Sequence, residues 1–229
     1  MYPTELPQIS NTPTQHPDCC ASLSTTLIDN VIACCPTLNA TVASIGCGSG
    51  LLEALLVQQL DSLKPLQSFH IKIAGIEVKT CQVKYLQFCH RVQGTWDKSE
   101  AAFRADVWLF VYPRNPNLID AYLKVLDEDS QLKTIIWIGP TCDWADFKMV
   151  FLQRAWVGHS VFENGGLAEY ETMVSITRKP ANSANTKTTV ANIVPVVEAT
   201  KDELVITAEA GVAIEAGVKI EPVMDIDDI

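Results

Sequence analysis

The 229-residue chain has no apolar run reaching the roughly 18 residues that a membrane-spanning helix needs, so no membrane association is expected. Its opening stretch, MYPTELPQISNTPTQHPD, has neither a basic segment nor an apolar one, so a secretory leader is not expected there. Basic charge is scarce. Lys+Arg number 17 against 27 Asp+Glu, a net charge of −10, and this argues against a nucleic-acid backbone as the main partner. None of the eight cysteines stands in a C-x-x-C pair, the spacing that suits zinc, and four form the doublets Cys19-Cys20 and Cys34-Cys35. Eight thiols in 229 residues fall short of a disulfide scaffold, so reduced thiols in a cytoplasmic, or alternatively nuclear, protein are expected.

What is present suffices for a core: 48 % of residues are apolar and 19 % charged, which rules out a wholly disordered or fibrous chain. The charge is uneven. Residues 181–229 hold three lysines against nine acids and contain no Phe, Trp or Tyr. They are expected to form an acidic tail, disordered or only partly helical, able to meet a protein partner. Within it residues 218–221 (VKIE) resemble a SUMO-acceptor pattern, and the final MDIDDI alternates apolar and acidic residues. The internal Lys201-Asp202-Glu203-Leu204 cannot be read as a C-terminal retention signal.

Residues 1–20 carry four prolines and read as an extended arm, leaving 21–180 as the folded domain. Helical spacing of Leu23, Leu27, Val31 and Cys35 predicts a helix over 21–36. Strand and helix then alternate: strands at 41–45, 71–78, 92–95, 106–111 and 134–138, and helices at 51–60, 82–91, 117–126 and 144–154. In the fourth of the five expected helices, Leu118, Ala121, Tyr122 and Val125 are expected inward. Two strands, 156–162 and 169–177, close the domain around the turn Glu163-Asn164-Gly165-Gly166. The pattern predicts a three-layer α/β fold with a mostly parallel sheet and an antiparallel last strand.

The segment Ser44-Ile45-Gly46-Cys47-Gly48-Ser49-Gly50-Leu51 leaves a strand and opens a helix. Glycines there permit a tight turn and close approach of a ligand to the backbone, while the helix start offers free N–H groups. The spacing is G-x-G-x-G, with Leu51 where a dinucleotide fingerprint needs its third glycine. Glu77 ends the second strand, where a carboxylate can accept hydrogen bonds from ribose hydroxyls. Gly46, Gly48, Gly50 and Glu77 all fall at the carboxyl edge of the sheet, where open α/β sheets bind ligands.

With these residues the chain resembles the class I, Rossmann-like S-adenosylmethionine-dependent methyltransferases over residues 21–178. The resemblance implies a seven-stranded sheet, a cofactor, S-adenosyl-L-methionine, over the glycine loop, and methyl transfer. Gly46, Gly48 and Gly50 match the first motif, with Ser44 and Cys47 beside them. Glu77 matches the second-strand acid, with Val78 against adenine, and Asp97 (beside Trp96) the position that meets the adenine amino group. The acid two places before the first glycine is here Ser44. Residues 111–116 (VYPRNP) are not the [D/N]-P-P-[Y/F] motif of amine-modifying members, so base methylation of nucleic acid is not expected.

Tyr112, Arg114 and Asn115 are the polar groups nearest the strand end where a methyl would be transferred, and they are the candidate catalytic residues. Glu163 and Asn164 share that rim. No general base stands out: His70 precedes a strand, His90 is placed at a helix end, His159 lies in a strand and His16 is on the arm. Trp137, Trp144 and Trp156 read as packing. With no inserted substrate domain, the arm and first helix are the only cap, which favours a small-molecule acceptor. A catalytically degenerate regulator or scaffold is the alternative, and a nicotinamide oxidoreductase is disfavoured by the glycine spacing.

Overall fold

The computed structural model describes residues 5–37, 39–63, 70–126, 130–152 and 156–178. The acidic tail, the VKIE segment and the end of the helix expected over 144–154 lie outside these residues.

The chain opens with a hairpin of β1 (Thr14–His16) and β2 (Cys19–Leu23). Helix α1 (Thr25–Ala33) follows, capped by Ser24, whose Oγ accepts from Leu27 N at 3.1 Å and donates to Gly166 O at 2.6 Å. Then come β3 (Thr41–Ile45), α2 (Leu51–Leu63), β4 (Lys72–Val78), β5 (Cys89–Val92), α3 (Glu100–Phe103), β6 (Val107–Val111) and α4 (Pro116–Leu123). The domain ends with β7 (Thr134–Pro140), α5 (Trp144–Leu152), β8 (Trp156–Phe162) and β9 (Glu171–Arg178). Strands β3 to β9 form one sheet in the order β5-β4-β3-β6-β7-β9-β8. Only β9 is reversed, antiparallel to both neighbours. Seven strands with an antiparallel last one are the architecture expected from the sequence.

Alternation along the buried strands sorts side chains between two layers. Val107 and Leu109 face α1 and α2, together with Val42, Ile136 and Met173. Trp108 and Phe110 face the opposite layer, with Ile119 and Tyr122 of α4 and Phe147 of α5. There the Trp108 ring meets Tyr122 edge-on at 5.5 Å, and its Nε1 donates to Ala102 O at 2.7 Å, so this large polar-tipped ring is buried at no hydrogen-bonding cost. Trp137 and Trp156 are core residues, as expected.

Several elements differ from the sequence reading. The arm is not merely extended: it folds back as the β1–β2 hairpin, and β2 crosses the expected boundary at residue 20. The helix expected over 21–36 begins only at Thr25, because Ala21 and Leu23 are buried strand residues. No helix forms over 82–91. Instead Lys84 N and Tyr85 N both donate to Ser49 O (2.8 and 3.1 Å), and Leu86 packs over Gly50 and Gly75, so tertiary partners replace the i−4 carbonyls. The third sheet strand is β5 at Cys89–Val92 rather than 92–95, and His90 lies on it. Helix α4 stops at Leu123, leaving Val125 49 % exposed rather than inward, and the short α3 was not anticipated.

The hairpin is fastened by Glu171, at the start of β9 and buried at 7 % exposure. Its carboxylate accepts from Ser22 N (3.2 Å to each oxygen), Ala168 N (3.1 Å), Tyr112 Oη (2.5 Å) and, at 3.5 Å, Gln15 Nε2. Replacing Glu171 with Leu strands these donors in a buried site, so unfolding in urea should show a loss of about 3–5 kcal/mol. Ser24→Ala, which removes only a helix cap, should cost about 1 kcal/mol in the same measurement.

Candidate functional site

The carboxyl ends of β3, β4 and β6 meet where the strand order turns from β4 to β6 about β3, the place where open α/β sheets leave a crevice. The loop after β3 is bent by Gly46 (φ 79°), Gly48 (φ 57°) and Gly50 (φ 81°), a left-handed backbone that disfavours side chains. It is held from below, where Gly46 N and Cys47 N both donate to Ile76 O (2.9 and 3.2 Å). A Cβ added to Gly46 or Gly48 would meet no atom within 4 Å. The upper side of the loop is therefore an open backbone surface, whereas Gly50 is filled from the other side by Leu86.

Glu77 joins this loop directly. Its Oε2 accepts from Gly48 N at 2.7 Å and its Oε1 from Val78 N at 2.7 Å. A carboxylate has about four lone-pair positions, so half of them stay available to hydroxyl donors. Val78 is half-buried beside it at the end of β4. Asp97 lies beyond β5 with its carboxylate closing a turn, Oδ2 accepting from Gly94 N at 2.9 Å. Trp96 beside it is 53 % exposed.

Ser44, the non-acidic position of the motif, is buried and donates through Oγ to Oε1 of Glu53 at 2.5 Å. Glu53 sits in the first turn of α2, 1 % exposed, with no hydrogen-bond partner for Oε2. A carboxyl group is thus present beneath the loop, contributed by the helix rather than by the strand. Burial raises its pKa to about 7, opposed by the Ser44 hydrogen bond. Sequence reading passed over Glu53 because an acid in a helix's first turn is ordinary.

The acceptor-side candidates separate in the structure. Tyr112 has φ 50°, unusual for a bulky residue, and is held there by its N–H to Ile138 O (2.7 Å) and its phenol to Glu171. Burial, with the Glu171 hydrogen bond second, raises the phenol above its usual range, so it is a proton donor at neutral pH. Asn115 caps α4, its Oδ1 accepting from Asn117 N at 2.9 Å. Arg114 is exposed. Glu163 and Asn164 form an exposed turn in which Asn164 has φ 61°. Glu171 was also missed by sequence reading, since its partners come from residues 15, 22, 112 and 168.

The hairpin reaches the glycine loop through Asp18. Its backbone O accepts from Ser49 Oγ at 2.6 Å, and its carboxylate takes Lys84 Nζ at 2.5 Å and Tyr85 Oη at 2.9 Å. The hydrogen bonds from Lys84 and then Tyr85 hold this carboxyl below its usual range. Beside it, His16 Nδ1 accepts from Asp18 N at 3.2 Å, which leaves the neutral ring's proton on Nε2. A cleft of about 310 Å³ runs along the arm, lined by Pro7, Ile9, Gln15, His16 and Leu23 among others. Among the described residues no group of three His, Cys, Asp or Glu could hold a metal ion, and no helix is long and apolar enough to cross a membrane.

No family model matches the chain, and no curated protein matches it in sequence. Solved structures do. The methyltransferase domain of the bacterial protein CtHen1 is 17 % identical, with 66 % of this chain and 97 % of that one covered at a TM-score of 0.47. Precorrin-6y C5,15-methyltransferase from Geobacter metallireducens is 10 % identical, covering 76 % of this chain and 98 % of that one at 0.46. A Streptococcus pneumoniae protein described as a tRNA (m1A22) methyltransferase, solved with S-adenosyl-L-methionine, is 14 % identical, covering 71 % and 76 % at 0.44. At these values the fold assignment stands on this chain's own sheet order and register.

A carboxyl with a raised pKa stabilises the fold while it stays protonated. As pH rises above the ordinary glutamate value of 4.5, the unfolded chain loses its proton first, so stability falls until about pH 7. The slope is at most about 1.4 kcal/mol per pH unit. Glu53→Gln should flatten it between pH 4.5 and 7 in denaturant titrations, and an unchanged slope would assign it to other groups.

Proposed function

We propose that the chain is an S-adenosyl-L-methionine-dependent methyltransferase acting on a small molecule. The observation that carries the reading is the open, left-handed glycine loop with the Glu77 carboxylate hydrogen-bonded to its centre. The residues fit the group. Gly46 and Gly48 present bare backbone, Glu77 keeps acceptor positions for ribose hydroxyls, and Val78 offers an apolar contact for the adenine. Asp97 would meet the adenine amino group with the carboxylate oxygen that does not close its turn. Cys47 and Ser44 complete the loop and its floor, where Glu53 Oε2 is buried without a hydrogen-bond partner. When bound, the cofactor supplies an electrophilic methyl group on sulfur, so the protein's contribution is position, charge and exclusion of water.

The acceptor side supports a nucleophile that needs little help losing a proton, such as a thiol or amine. Tyr112 holds its proton toward Glu171, whose oxygens already accept from several donors, and His16 Nδ1 is taken by the Asp18 N–H. Tyr112 and Arg114 therefore orient an acceptor rather than deprotonate it, and Asn115 is taken up as the cap of α4. The arm's cleft favours a small acceptor over a nucleic acid. The same lack of an assembled base favours a second reading, a module that binds the cofactor without turnover.

Calorimetry of the full chain with S-adenosylmethionine, S-adenosylhomocysteine and NAD should show binding of the two sulfur compounds only. No heat with either would sink the proposal. Gly48→Val, which cannot comfortably hold the left-handed backbone of the loop and would also occupy its open face, should abolish that binding with the sheet retained, and Glu77→Ala should weaken it by about 1.5–3 kcal/mol. With a radiolabelled methyl donor, incorporation into small thiols or amines supports the first reading. Incorporation into RNA would overturn the acceptor assignment, and binding with no incorporation anywhere would establish the second reading.

A further inference from the structure

We propose that Cys47 and Cys89 are a reversible redox pair whose thiols close to a disulfide across β4, tying the centre of the glycine loop to the sheet's edge strand. Their sulfurs lie 3.8 Å apart although the residues belong to opposite sides of one strand: Cys47 follows β3, Cys89 is in β5, and β4 runs between them. What lets them meet is Gly75. It is the β4 residue in register with Cys89, and a Cβ placed on it would fall 2.8 Å from the Cys47 Sγ. A side chain there would therefore displace the Cys47 sulfur from its present place. Closing from 3.8 Å to a bond of about 2.05 Å asks the two sulfurs to approach by about 1.8 Å.

The chemistry is asymmetric. The hydrogen bond from the Cys47 thiol, and after it the Arg91 guanidinium whose Nη1 lies 3.9 Å from Cys89 Sγ, hold Cys89 below the usual thiol range. The same contact and burial raise Cys47. Cys89 is half-exposed on the edge strand, where a small oxidant can reach it. Hydrogen peroxide is the co-reactant. The Cys89 thiolate attacks one peroxide oxygen, the O–O bond breaks, and the departing hydroxide takes a proton to leave as water. The Cys47 sulfur then attacks the resulting sulfenic sulfur while losing its proton, the S–O bond breaks, and a second water leaves. Two thiols give up two electrons, and one peroxide becomes two waters. A thiol reductant reverses the bond.

This inference stands apart from the cofactor reading, because it is tested on the thiols. The reduced full chain is treated with hydrogen peroxide, its remaining thiols are alkylated, and its peptides are mapped by mass spectrometry with and without dithiothreitol. The expected result is a Cys47–Cys89 cross-link as the dominant intramolecular product, absent after reduction. Cys47→Ser should leave Cys89 as a sulfenic acid trapped by dimedone, and Cys89→Ser should leave Cys47 unoxidised at the same dose. Cross-links mainly through the exposed Cys20 or Cys142, or oxidation of Cys89 with no link in the unaltered chain, would overturn the proposal. So would dimedone trapping of Cys47 in Cys89→Ser. Should either variant fail to fold, the map of the unaltered chain decides by itself.

Discussion

The buried carboxylate of Glu171 is where three separate parts of the chain are joined. A charged group at this depth is tolerated only if hydrogen-bond donors surround it, and here they come from the hairpin (Ser22, Gln15), the end of β6 (Tyr112) and the β8–β9 loop (Ala168). Because each donor belongs to a different element, the charge can be satisfied only when the hairpin is seated and β6 ends in its left-handed turn. The strained conformation of Tyr112 is held by the same demand.

A second constraint operates at the glycine loop. Space is open where side chains on Gly46 and Gly48 would stand, while the groups that shape the loop lie below and to the side: Ile76 O, Glu77 and the Ser44–Glu53 pair. Where β3 carries Ser44, the nearby carboxyl comes from α2 and is hydrogen-bonded by that serine.

The core strands were readable because 41–45, 106–111 and 134–138 are short, dense apolar runs bounded by polar or glycine-rich segments, and such runs have no other stable home than a covered sheet. The glycine loop and Glu77 were readable from their place at strand ends. The segment over 82–91 was not. Its Val83 and Leu86 have helical spacing, but its backbone donors are taken by Ser49 O, a partner more than thirty residues away. Glu53 and Glu171 were hidden for related reasons, one by occupying a position where acids are commonplace and the other by drawing its partners from across the chain. The Asn115 side chain shows the converse, a polar group singled out by position that the fold uses as a helix cap.

Asp18 binds Ser49 through its carbonyl and Lys84 and Tyr85 through its carboxylate, while those two residues also donate their N–H groups to Ser49. The composition boundary near residue 20 separates a proline-rich stretch from an apolar one, yet the triangle formed by residues 18, 49 and 84–85 spans it. A shortened chain begun at that boundary would keep every apolar core residue of the sheet and lose one corner of the frame around the glycine loop. The residues that complete the core and those that brace the glycine loop are therefore not the same stretch of chain.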